Sequence, residues 1–202
     1  MGKDGNTGAT LDKFNRPVDE LKTLCKELVE HYELGTNNTR VSVIRFNIRT
    51  RFSTACWNTA MHSSCSPTTL EVDWSTHRPY IYRGIDNLRW YDNDYIDATS
   101  LAQGLDAATA QLDSARPGAK TAVFVFTDGV QDCDCPPARP DECALTDASF
   151  LSSCAQTVNN AATALKAHAT NPTVFAFGSK GYDVADPASI TAQLDQIASY
   201  PS

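Results

Sequence analysis

Apolar residues at Leu11, Phe14, Val18, Leu21, Leu24, Cys25, Leu28, Val29 and Tyr32 recur at helical spacing. Pro17 is best tolerated in a first turn and Asn15 is a suitable N-cap, so the pattern predicts a helix over 16–33, closed by Leu34-Gly35 with the glycine as C-cap. R-V-S-V-I-R-F at 40–46 reads as a strand, and 48–53 alternates as an antiparallel edge strand returning along it. Residues 54–79, rich in Ser, Thr and Pro with two cysteines, read as a long surface loop; 80–90 fits a short helix and 92–97 an acidic loop. Leu101, Leu105, Ala108 and Leu112 mark another helix, with Ser100 and Gln103 spaced as a capping box.

After a turn at Arg116-Pro117-Gly118, T-A-V-F-V-F at 121–126 is a continuous apolar run, as a buried parallel strand requires, and it leads directly into Thr127-Asp128-Gly129. A Cys/Pro-rich insertion fills 130–146, Asp147 is placed to cap a helix running to about 168, and 173–177 is a third buried strand. Asp186-Pro187 then opens a last helix to about 198. Strands alternating with helices, with no internal repeat, predict one α/β domain over 1–202: a doubly wound, mostly parallel sheet flanked by helices.

Composition narrows the function. At 202 residues with 42% hydrophobic residues the chain is long enough for one domain with a core. A net charge of -7 disfavours nucleic acid, whose phosphates an acidic surface repels. No apolar run approaches the roughly 18–20 residues that span a bilayer, and the N-terminus carries no signal-peptide pattern.

Seven cysteines are many for this length, and six cluster: Cys56 and Cys65 in one segment, Cys133, Cys135, Cys143 and Cys154 in another. Clustering in loop-like sequence suggests disulfides and an oxidising compartment: one bridge between Cys56 and Cys65, and one or two among the second group, whose pairing the sequence does not fix. Zinc is the competing reading of the second group, although the C-x-C of Cys133 and Cys135 lacks the paired C-x-x-C knuckles of a zinc site. Cys25, on the apolar face of the first helix, is the cysteine left as a buried free thiol. Asn37-Asn38-Thr39 is an N-glycosylation sequon. Together these point to an extracellular or cell-surface chain that is part of a longer parent protein.

Catalytic signatures are missing: there is no G-x-S-x-G, H-E-x-x-H or G-x-x-x-x-G-K-[ST], and the four histidines are scattered, with His31 and His168 near helix ends in structural or solvated positions. Gly2, Gly5 and Gly8 do not form a dinucleotide-binding G-x-G-x-x-G. Asp128 is the one notable carboxylate. In open α/β sheets ligands bind beyond the carboxyl ends of the strands, so an acid there is either a ligand-site residue or a turn-former.

V-F-V-F-T-D-G at 123–129 resembles the strand of von Willebrand factor A domains that ends in T-D-G, whose Asp serves the metal-ion-dependent adhesion site. D-A-T-S-L-A-Q-G-L at 97–105 resembles that family's G-G-T-x-T-x-x-A-L segment, with Asp97-Ala98 in place of the two glycines and Leu101 in place of the second threonine. T-R-V-S-V-I-R-F at 39–46, R-G-I-D-N-L at 83–88, V-F-A-F-G at 174–178 and L-D-Q-I-A-S-Y-P-S at 194–202 are similar to further family segments in the same order, so the likeness covers nearly the whole chain.

The resemblance implies a non-enzymatic, protein-binding adhesion module that uses a divalent cation, Mg2+ or else Mn2+ or Ca2+, to bind a partner's carboxylate. By it, Thr99 and Asp128 are the metal-site residues, and the partner is a protein of the extracellular matrix or cell surface. The same likeness admits a second reading: an intracellular, metal-independent scaffold domain with reduced cysteines.

The family's first strand, ending in D-x-S-x-S, has no counterpart here. Met1-Gly2 leads straight toward the first helix, and D-G-N-T-G at 4–8 lacks the hydroxyls and a preceding strand. The expectation is therefore a domain without its central first strand and without the C-terminal strand and helix. With only two oxygen sites from the protein, such a domain would hold magnesium weakly, because magnesium takes about six oxygens.

Overall fold

The computed structural model describes residues 7–46, 48–51, 68–88, 95–98, 101–127, 148–178 and 187–200; for 7–18, 48–51, 95–98, 148–155 and 187–189 it describes the backbone alone. In chain order the elements are α1 (Thr7–Glu30), β1 (Val41–Phe46), β2 (Ile48–Arg51), β3 (Thr68–Ser75), α2 (Arg78–Asp86), β4 (Tyr95–Ala98), α3 (Leu101–Leu112), β5 (Ala122–Thr127), α4 (Ala148–Lys166), β6 (Thr173–Gly178) and α5 (Pro187–Ile197). The alternation is that of an α/β fold. Among the described residues the strands pair as β1 with β3, β2 with β4 and β5 with β6, and no further described strand pairs with β1 or β5.

The chain divides into two compact units, Met1–Arg45 with Leu70–Asn93, and Phe46–Thr69 with Asp94–Ser202. In the first, Val29 of α1, Val72 of β3 and Ile81 and Ile85 of α2 form the core, with Cys25, Leu34, Val41, Val43, Tyr82 and Leu88 packed around it. Gly84 is the closest approach: a Cβ there would stand 2.0 Å from Val72 Cγ2, so α2 lies on β3 only because this position has no side chain. Three polar groups tie the helices. Arg78 and Tyr82 both donate to the Glu30 carboxylate, and Lys26 donates to Asp86 at 2.7 Å. Arg45 and Glu71 form an ion pair at 2.9 Å with side chains only 16% and 11% exposed.

In the second unit Leu101, Ala102, Leu105 and Leu112 of α3 and Val158, Ala161, Ala162 and Leu165 of α4 are buried where these helices pack. β5 and β6 are parallel, in register from Ala122 opposite Thr173 to Thr127 opposite Gly178. Their rings stack across the pair, Phe124 on Phe175 and Phe126 on Phe177, each at 5.0 Å. The α5 side chains Ile190 and Leu194 come close over Gly178, and Lys166 donates to the carbonyls of Gln196 and Ala198, a cation at the negative end of α5.

Several expectations are corrected. α1 begins at Thr7 and runs through Pro17; a proline removes one i→i−4 bond without forbidding helix on either side, so Asn15 is no cap. α1 stops at Glu30 in a tightened turn, with Tyr32 N–H donating to Val29 O, and Gly35 is not at positive φ. It closes a small loop instead, donating to Thr39 O at 3.1 Å. β2 pairs with β4, not with β1. Only one residue separates β1 from β2, whereas the shortest common hairpin needs two. β3 replaces the second half of the expected 54–79 loop, and β4 replaces part of the acidic loop. The remaining elements fall within a few residues of their predicted bounds.

Candidate functional site

Thr99 and Asp128 lie outside the described residues, as do Ser100, Cys56, Cys65, Cys133, Cys135 and Cys143. Cys154 falls within α4. What the structure supplies is the framework that carries the two candidate ligands. Asp128 follows Thr127, the last residue of β5, at the carboxyl end of a parallel pair, where loops of α/β proteins gather their ligands. Thr99 follows Ala98, the last residue of β4, and is separated by one residue from Leu101, the first of α3. β4 is held at that end by β2, with Ile48 opposite Ala98.

Helix α3 explains how the Thr99 segment departs from its family pattern. Leu101, standing where the pattern has its second threonine, is fully buried, so this position works here as core and not as an oxygen donor. Gly104 stands where the pattern has alanine, because the Phe46 ring fills the space: a Cβ on Gly104 would lie 2.7 Å from Phe46 Cγ. Sequence reasoning missed this contact, which brings Phe46 against α3 across 58 residues (104 − 46). The Gln103 carboxamide oxygen is buried without a hydrogen-bond partner, and Ser100, the other half of the expected capping box, lies outside the described residues.

The opposite end of the β5–β6 pair is stitched shut. Thr173 N–H donates to Thr121 O at 3.0 Å, and the Thr121 hydroxyl donates to the Thr170 hydroxyl at 3.2 Å. His168 accepts the Thr170 backbone N–H on Nδ1 at 3.2 Å. Nδ1 also lies 3.0 Å from the Thr170 hydroxyl, and Nε2 stands 3.1 Å from Asp113 at the end of α3. This is the structural role expected of His168, and His31 is exposed just past α1. On β6, Ser199 donates its N–H to Val174 O and accepts the Val174 N–H on its hydroxyl, both at 2.9 Å. These bonds tie down the amino end of the β5–β6 pair, opposite its carboxyl end.

Cys25 is a free thiol packed against the first core, and burial pushes its pKa up to about 11, which makes it inert rather than nucleophilic. A shallow depression on α1 lined by Asp19, Glu20, Thr23, Leu24 and Glu27 draws on one helix only and converges on no chemistry. Among the described residues no group of three or more His, Cys, Asp or Glu is placed to hold a metal, and no helix is long and apolar enough to cross a membrane.

The profile of the von Willebrand factor type A domain matches residues 4–202, and the chain belongs to this family. Domains of the family are protein-interaction modules, typically without catalytic activity, and often hold a divalent metal. No curated protein matches the chain.

Proposed function

We propose that this domain binds a protein partner of the extracellular matrix or cell surface through a divalent cation held at the carboxyl end of β5, with Asp128 as the anionic ligand and Thr99 as a hydroxyl ligand. The observation that supports the reading is the parallel β5–β6 pair, which ends at Gly178 and at Thr127, one residue before Asp128 in the chain, at the carboxyl end where α/β folds bind ligands. The donor chemistry suits the ion: a carboxylate and a hydroxyl are hard oxygens of the kind Mg2+, Mn2+ and Ca2+ take. The cation would supply the positive charge that a partner's carboxylate completes. Two protein oxygens leave most positions to water, so affinity for the bare ion is weak.

An oxidising compartment is part of the same proposal. It pairs Cys56 with Cys65 and places one or two bridges among Cys133, Cys135, Cys143 and Cys154, leaving Cys25 free. Thiol counting under denaturing conditions on protein from its native source tests this. The extracellular reading expects four or six of the seven cysteines to be oxidised. Seven reactive thiols would instead favour an intracellular scaffold.

A further inference from the structure

The loop that joins α1 to β1 carries a motif that the binding site does not use. Asn37-Asn38-Thr39 is an acceptor sequence for N-linked oligosaccharide. A sequon becomes a site only if the folded chain leaves its asparagine accessible and spares it from the native hydrogen-bond network. Both conditions hold here.

The loop is pinned by its backbone and not by Asn37. Gly35 N–H donates to Thr39 O at 3.1 Å, Asn38 N–H to Gly35 O at 3.0 Å, and Thr39 N–H to Glu33 O at 3.1 Å. Leu34 and Thr39 form an isolated bridge at its base. The neighbouring Asn38 side chain lies over Gly35, its Nδ2 standing 3.5 Å from where a Gly35 Cβ would be. Asn37 is exposed at the tip, and its carboxamide makes no hydrogen bond. A bulky substituent on its Nδ2 therefore breaks nothing.

We propose that Asn37 is an N-glycosylation site, and that its glycan stands at the amino end of β1, the end of that strand away from Phe46. The reaction is transfer from a polyprenyl-diphosphate-linked oligosaccharide. Asn37 Nδ2 bonds to C1 of the first sugar while the bond from C1 to the diphosphate oxygen breaks. The diphosphate leaves with the electron pair, and Nδ2 gives up one proton to the transferase's base.

The modification presupposes the extracellular reading, and the test separates the two. The full chain is expressed in a eukaryotic secretory pathway behind an added signal sequence, with a C-terminal tag bearing an independent sequon that reports entry into the lumen. The tag is then removed by protease and the chain treated with an amidase that releases N-glycans. The expected result is a mobility shift in the wild-type chain, absent in Asn37→Gln and Thr39→Ala but kept in Thr39→Ser, which retains the hydroxyl, with deglycosylation mapped to Asn37. An unmodified wild-type chain whose tag is glycosylated overturns the proposal. Because delivery is forced, that failure counts against the acceptor and leaves the extracellular reading, which rests on the native thiol count, untouched.

Discussion

Gly104 lies against the base of the Phe46 ring, where a Cβ would come within 2.7 Å of Phe46 Cγ and 2.9 Å of its Cβ. Those atoms are the near end of the side chain, so the ring has no easy way to yield. In an unpacked helix Gly→Ala is stabilising by about 1 kcal/mol. Here overpacking reverses the sign, and Gly104→Ala should cost about 1–3 kcal/mol. In a Phe46→Ala background the same change should become neutral or stabilising. Thermal unfolding of the four proteins checks this; a raised midpoint for Gly104→Ala alone would show that α3 is not seated on Phe46.

Gly84 repeats the arrangement in the other unit against Val72, which is fully buried. Gly84→Ala should cost at least as much, toward the upper end of about 1–3 kcal/mol, since 2.0 Å leaves no room at all. Urea unfolding with an unchanged midpoint would contradict this packing.

Cys25 should resist alkylation. With its thiol pushed up to about 11 and packed on the Val29 cluster, it carries almost no thiolate at pH 8. Mass mapping after iodoacetamide treatment should find the Cys25 peptide unmodified in native protein and modified after denaturation. The raised value also means that whatever stability the buried thiol confers is present below about pH 9 and lost as pH rises through about 11. Equal labelling rates in the two states would place Cys25 at the surface.

The Glu30 cluster predicts a pH window. Hydrogen bonds from Tyr82 and then Arg78 hold the Glu30 carboxyl below its ordinary value, so its contribution is present above about pH 4 and lost as pH falls through the lowered value. Tyr82 is held above its ordinary value by the same carboxylate, so its contribution is present below about pH 10 and lost as pH rises past it. Glu30 is exposed and Arg78 and Tyr82 are only partly buried, so the effect is small. Glu30→Gln should flatten both flanks of the stability profile, and an unaltered profile would mean that the cluster ties nothing.

Much of the fold was legible because its strongest signals are local. The apolar run of β5, the Pro187 start of α5 and the spacing of α3 each sit within one element. The features that were not legible are those fixed by distant partners. β3 alternates Leu70, Val72 and Trp74 with Glu71 and Asp73, a strand signal that the Ser/Thr/Pro composition before it obscures. The pairing of β2 with β4 depends on a strand more than 40 residues on (95 − 51 = 44). At the site, the family pattern marked Thr99 and Asp128, while the reason for Leu101 and Gly104 in that pattern appears only when α3 is packed.

The central claim is a divalent-cation site built on Asp128. Mn2+ titration followed by electron paramagnetic resonance, which reads free ion directly, tests it on the full chain. The account predicts weak, saturable binding that falls by on the order of tenfold or more in Asp128→Ala, falls less in Thr99→Ala, and is competed by Mg2+, with the thermal unfolding midpoint little changed in either variant. Binding by Asp128→Ala equal to that of the unaltered chain would contradict it.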